Sequence, residues 1–226
     1  MSKATLVVKR DILFSERYFQ GFLDADEHDY ISKVLENYEY YIRGDELENN
    51  SSLQQVIPYV WVINPKEKKV FAYKRASGKQ NYSETRLMDK ISCGVGGHID
   101  REDSDVKMLE HFEHPKVQHK TQGLSNNPIE KAMMRELMEE IVMKEYPKPK
   151  IVGYLNDDSD SVGRVHFGIV AVAETTADVK KGDNEMAHGR FYSIDELERL
   201  FSDTNYEVES WTRISWPFVK NYLERL

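Results

Sequence analysis

Glu136, Glu139 and Glu140 fall three, four and one residue apart in the stretch Glu130–Glu140, which reads EKAMMRELMEE. On an α-helix this spacing projects three carboxylates into one volume, because positions three and four apart share a face. Like charges held together in this way repel unless a cation sits among them. An all-oxygen donor set suits a hard divalent ion, Mg²⁺ or Mn²⁺, of the kind commonly bound together with substrate phosphates. Arg135, the preceding residue, can steady one carboxylate through a charge-assisted hydrogen bond. Charged clusters on helices are most often solvated faces, so the upstream context matters. There Gly94, Gly96 and Gly97 follow a strand, and glycine lets the backbone approach a ligand or metal closely.

The elements that must position these groups follow from periodicity and caps. Asn127 or Asn126 as N-cap, Pro128 in the first turn and Pro147 as a stop predict a helix over 128–146. The β-branched runs VIPYVWVIN (56–64) and KVFAYKR (69–75) predict two strands around a turn at Asn64–Lys68, followed by a short strand ending at Ile91–Cys93. Lys150–Leu155, Val165–Ala173 and Phe191–Tyr192 read as further strands, and Ser193 with Glu196 forms an S-x-x-E capping box for the next helix. Ile214, Phe218, Tyr222 and Leu226 recur every four residues and predict a terminal helix from Trp211 despite Pro217. Residues 4–9 read as a strand, Arg17–Leu23 as an aromatic turn or bent edge segment, Asp26–Tyr41 as a helix and Asp45–Ser52 as a polar linker. Strands interleaved with a few helices indicate a mixed α/β or α+β fold.

The chain has 226 residues, 40% hydrophobic and 31% charged, enough apolar surface for a core and too much for a disordered chain. We expect one main domain, 53–226, preceded by an extension over 1–52 that packs on the core or mediates a homodimer. A net charge of −8 argues against duplex nucleic acid or an anionic membrane surface as the main partner. A small phosphate ligand stays compatible, since a metal ion can reverse the field in one cleft. The lone cysteine, Cys93, forms no intramolecular disulfide, no run approaches the roughly 18 apolar residues of a membrane span, and the N-terminus lacks the pattern of a secretory signal. A reducing, cytoplasmic location is the expectation.

Glycine turn and R-E-L-x-E-E together resemble the signature of the Nudix (MutT-like) hydrolases, G-x5-E-x7-R-E-U-x-E-E-x-G-U with U aliphatic. Arg135, Glu136, Leu137, Glu139 and Glu140 match its R-E-U-x-E-E portion, and Gly96–Gly97 match the opening glycines. The resemblance spans residues 53–205 and implies an α/β/α sandwich around a mixed β-sheet. It further implies Mg²⁺-dependent (or Mn²⁺-dependent) pyrophosphohydrolase activity on a nucleoside diphosphate derivative. Glu136, Glu139, Glu140 and the Gly96 carbonyl would then hold metal. This sequence departs from the signature in three places: an insertion of 24 residues within 101–126, Asn127 where the first family glutamate stands, and Val142 where a glycine stands, so that the helix is expected to run on to Tyr146.

A general base is also needed, and relatives take it from this helix or from a later loop. Glu185, in the loop Lys181–His188, is the first candidate and Glu140 the next, against the plainer reading of Glu185 as a solvated charge. Arg75 and Arg86 are candidate phosphate contacts, since planar guanidinium forks fit phosphate oxygens. Three histidines in the insertion, His111, His114 and His119, fit a His-bearing surface or a lid better than a zinc site. Two other readings remain: a Nudix-fold module that senses a nucleotide without cleaving it, and an enzyme like the isopentenyl diphosphate isomerases. The second draws on Gly97–His98, whose counterpart there binds metal, but it lacks their cysteine immediately before that pair; Cys93 lies three residues ahead of Gly96 and reads as a small buried hydrophobe.

Overall fold

The computed structural model describes residues 3–76, 87–104, 127–182 and 186–226. In chain order its elements are β1 (Ala4–Lys9), α1 (Arg10–Leu13), β2 (Gly21–Asp24), α2 (Tyr30–Asn37), β3 (Glu39–Ile42), α3 (Asp45–Glu48), β4 (Leu53–Asn64) and β5 (Lys69–Arg75). After these come β6 (Ile91–Ser92), β7 (Gly94–Val95), α4 (Pro128–Glu140), β8 (Ile141–Val142), β9 (Lys150–Asn156) and β10 (His166–Glu174). The chain ends with β11 (Lys180–Lys181), β12 (Met186–Ser193), α5 (Ile194–Ser202) and α6 (Ser210–Arg225). This is the mixed α/β composition that interleaved strand and helix patterns predict. None of the helices among the described residues is long and apolar enough to cross a membrane.

The chain divides into two compact units, one from 1–59, 96–134 and 151–170, the other from 60–95, 135–150 and 171–226. In the first, β1 lies antiparallel to both β3 and the start of β4, with Val7 opposite Gln55, and β2 lies antiparallel to β9. Alternation in β-strands sends successive side chains to opposite faces. Leu6, Val7 and Val8 are nevertheless all buried, so β1 is covered on both sides. Phe14, Phe19, Tyr30, Tyr154 and Phe167 fill the interior with mostly edge-to-face ring contacts, Phe14 to Phe167 at 6.0 Å and Tyr30 to Tyr154 at 5.1 Å.

In the second unit β12 runs antiparallel along the whole of β5, β5 pairs β6, and β7 pairs the later part of β4. Trp61 on β4 stacks on Trp216 of α6 at 6.0 Å, and Phe71 meets Phe191 edge-on. Asn64 closes the β4–β5 turn by accepting from the Lys66 and Glu67 amides, and Lys68 adopts the left-handed conformation such a turn requires. The capping box expected at α5 is formed in both directions, Ser193 to Glu196 and back.

Three expectations need correction. The helix expected over Asp26–Tyr41 is confined to Tyr30–Asn37, because Glu39–Ile42 pairs with β1 and a hydrogen-bonded strand outcompetes helical periodicity there. The polar stretch expected as a linker holds the single-turn helix α3. The helix expected to reach Tyr146 stops at Glu140: Ile141 and Val142 are β-branched and pair with Lys181 and Lys180.

Candidate active site

α4 begins where Asn127 accepts a hydrogen bond from the Ile129 amide at 2.9 Å, which satisfies a donor the first helical turn leaves open. Ile129, Ala132, Met133 and Leu137 occupy its apolar stripe and are buried. That stripe fixes the rotation of the helix about its axis, and the rotation decides where the carboxylates go. Glu136 and Glu140, one turn apart, are themselves buried, whereas Glu139 is exposed.

Arg135 organises two of the three. One nitrogen of its buried guanidinium, Nη1, donates to Glu136 Oε1 at 2.8 Å and to Glu139 Oε2 at 3.0 Å. Glu136 also shares a side-chain hydrogen bond with Glu140. Burial pushes the Glu136 carboxyl up to about 7, further than the Arg135 charge and hydrogen bond pull it down; the neighbouring Glu139 charge adds to the rise. Two buried carboxyls in hydrogen-bond contact need either a shared proton or a cation between them. Two of the three carboxyls are buried together, and every donor they offer is oxygen. The residues present therefore fit a hard divalent ion.

The C-terminal end of α4 is held by a contact the sequence did not suggest. The Gly182 amide donates to the Glu140 carbonyl at 2.7 Å. A Cβ at Gly182 would lie 3.0 Å from the Glu139 carbonyl oxygen and 3.0 Å from the Glu140 carbonyl carbon, tighter than ordinary contacts. The signal available was a glycine after two lysines, ordinary in itself; its meaning depends on the pairing of β11 with β8.

The other predicted residues divide by location. Gly96 follows β7 with φ +155°, and a Cβ there would sit 1.9 Å from the Pro58 carbonyl oxygen, so the backbone approach that glycine permits is real at this position. Just upstream, the Tyr73 hydroxyl donates to the Gly94 carbonyl at 2.8 Å. Arg75 is on β5 and buried, and its Nε donates to Glu209 in an ion pair. Ser92 donates to the other oxygen of Glu209 at 2.7 Å. The guanidinium expected to meet phosphate is thus engaged inside the protein. Arg86 and Glu185, and the histidines His111, His114 and His119, lie outside the described residues. Cys93 is fully buried, its amide donates to Thr212 Oγ1 at 3.1 Å, and burial holds its thiol well above the usual range, which makes it inert as a nucleophile.

No protein-family model matches the chain. It is 30% identical over 232 residues to Protein YmaB of Bacillus subtilis (strain 168), covering 99% of this chain and 98% of that one. Among solved structures it is similar to that of Tm1382, assigned to the Nudix hydrolases, with a TM-score of 0.68, 21% identity, and coverage of 97% of this chain and 99% of the other. It is also similar to a Nudix hydrolase from Alicyclobacillus acidocaldarius, with a TM-score of 0.50, 11% identity, and coverage of 76% and 92%. At these identities the structures speak for the fold.

Proposed function

Since the chain belongs to the same family as Protein YmaB and has the fold of the Nudix hydrolases, we propose that it is a Mg²⁺-dependent pyrophosphohydrolase cleaving a diphosphate linkage in a nucleotide derivative. The observation that carries this reading is the arrangement on α4, with Glu136 and Glu140 buried in mutual contact and Arg135 clamping Glu136 and Glu139. A helix face of solvated charges would leave all three carboxylates in water. Here two are withdrawn from it, at a cost that a bound dication would offset.

Glu136, Glu139 and Glu140 are the residues that would hold the ion. Mg²⁺ there would neutralise phosphate oxygens and lower the pKa of a water. Arg135 fixes two of the carboxylates in orientation, so their lone pairs are aimed before substrate arrives. In the hydrolysis an oxygen of water bonds to phosphorus, the bridging P–O bond breaks, and the water's proton passes to a carboxylate. Glu185 and Glu140 are the candidates for that base. Arg75 would contact substrate only by exchanging Glu209 for phosphate, which leaves Arg86 as the better candidate of the two. The buried Cys93 gives the isomerase reading no reactive thiol.

The test is release of phosphate and mononucleotide from nucleoside triphosphates, dinucleoside polyphosphates, ADP-ribose, NAD and nucleotide sugars, with Mg²⁺, Mn²⁺ or EDTA. Turnover of one class that EDTA abolishes supports the reading. Tight binding of a nucleotide with no turnover replaces it by the sensing module. If Glu185→Gln turns over like wild type while Glu140→Gln is inactive, the base belongs to α4; the reverse result places it on the loop.

A further inference from the structure

A second set of donors lies in the first unit and differs in chemistry from the carboxylates of α4. Glu48, at the end of α3, His98, just beyond the glycine turn, and His166, the first residue of β10, each bring one ligand atom within 4.8 Å of the other two. The two imidazole rings face each other edge-on, 5.5 Å between centroids at 67°. We propose that these three residues form a site for a borderline transition-metal dication of the Zn²⁺ class, with a ligand set different from the carboxylates of α4.

The surroundings are built in the way metal-bearing imidazoles require. A coordinating histidine ordinarily donates its other ring N–H to a fixed acceptor, which sets both tautomer and ring orientation. His166 Nδ1 lies 2.7 Å from the Val162 carbonyl oxygen. A carbonyl can only accept, so Nδ1 carries the proton and Nε2 the lone pair. Gln55 does the equivalent for the other two residues. Its Nε2 donates to Glu48 Oε1 at 3.2 Å, and a carboxylate can only accept, so the amide orientation is set. Gln55 Oε1 therefore faces His98 Nε2 at 2.8 Å as acceptor and leaves the lone pair on His98 Nδ1. Gln55 itself is fully buried on β4, where its neighbour across the ladder is Val7. One buried amide thus positions both Glu48 and His98.

Donor type sets the expected selectivity. Two neutral imidazoles and one carboxylate favour Zn²⁺ and its neighbours over Mg²⁺, which prefers oxygen alone. Two ligands about 2.1 Å from a tetrahedral ion are about 3.4 Å apart, so closing from the observed spacing takes side-chain rotations on the order of an ångström. Three protein ligands leave a coordination position for water or for an anionic oxygen, the pattern of an open site rather than a closed structural one.

The experiment strips the full-length protein with EDTA, desalts it, saturates it with Mg²⁺ and titrates it with Co²⁺, reading the visible d–d absorption, and separately with Zn²⁺ by calorimetry. The expected result is about one Co²⁺ or Zn²⁺ per chain that excess Mg²⁺ does not displace. His98→Gln and Glu48→Gln should each weaken it by at least about 10–100-fold, the loss that even an outer-shell change causes. His166 is buried, so His166→Gln is read only alongside circular dichroism confirming that it folds. Glu139→Gln should leave the Co²⁺ spectrum unchanged, so a failed hydrolase reading would leave this result standing. Absence of a Mg²⁺-resistant equivalent in the wild type overturns the proposal. A spectrum that Glu139→Gln abolishes and His98→Gln preserves overturns it as well.

Discussion

Arg75→Met separates a structural arginine from a substrate-binding one. The side chains of Arg75 and Glu209 are 7% and 4% exposed, and Arg75 also lies over the Tyr73 ring, its guanidinium carbon 5.5 Å from the centroid. Removing one partner of a buried ion pair strands the other charge, which costs about 3–5 kcal/mol. For a chain of this length each kcal/mol lowers Tm by about 2–4 °C, so the variant should melt roughly 6–20 °C below wild type. Urea unfolding gives the free energy directly, and the slope should stay unchanged if the native and denatured states keep their compactness. The double variant Arg75→Met with Glu209→Leu removes both charges and should recover much of the loss, since an apolar pair of similar volume can replace a buried ion pair. Steady-state kinetics on the accepted substrate complete the test. A loss of stability below about 1 kcal/mol, the scale of an exposed ion pair, together with a tenfold rise in KM, would refute the reasoning and return Arg75 to the substrate site.

Other consequences follow from the same structure. Glu136 has a folded-state pKa raised from 4.5 to about 7, so its contribution favours folding fully below 4.5 and is lost as the pH rises through 7. In EDTA the wild type should therefore lose about 3 kcal/mol more than Glu136→Gln between pH 4.5 and 8 in urea unfolding; parallel pH profiles would count against the buried carboxylate. Added Mg²⁺ should recover stability at pH 8 in the wild type by mass action and do so far less in Glu136→Gln. Gly96→Ala should destabilise by about 1–3 kcal/mol or more, because the added methyl would meet the Pro58 carbonyl at 1.9 Å; a neutral result in thermal melting would show that the turn can relax.

What the sequence made legible was local. Asn127, Pro128 and the apolar stripe through Leu137 place α4, and R-E-L-x-E-E puts its three carboxylates along that helix, because helix periodicity and caps act over a few residues. The Ser193–Glu196 capping box and the β4–β5 turn at Asn64 are readable for the same reason. Features set by distant partners were not. Ile141 and Val142 become a strand only because Lys180 and Lys181 lie beside them, and Glu39–Ile42 leaves the helical pattern because β1 offers a ladder. Arg75 looks like a phosphate ligand until Glu209, 134 residues away, is seen against it. His98 stood out beside the glycines, but nothing in local spacing joins it to Glu48 and His166; β4, through Gln55, does that.

The central claim is that the three glutamates of α4 hold a metal that hydrolyses a diphosphate, and Glu139→Gln tests it most directly. Glu139 is exposed, so the substitution should leave the fold and melting temperature nearly intact. Turnover of the accepted substrate in Mg²⁺ should then fall by orders of magnitude, as removal of a catalytic metal ligand requires. Turnover that stays within about threefold of wild type, in a variant that melts normally, would contradict the account, since no transition-state interaction would have been lost.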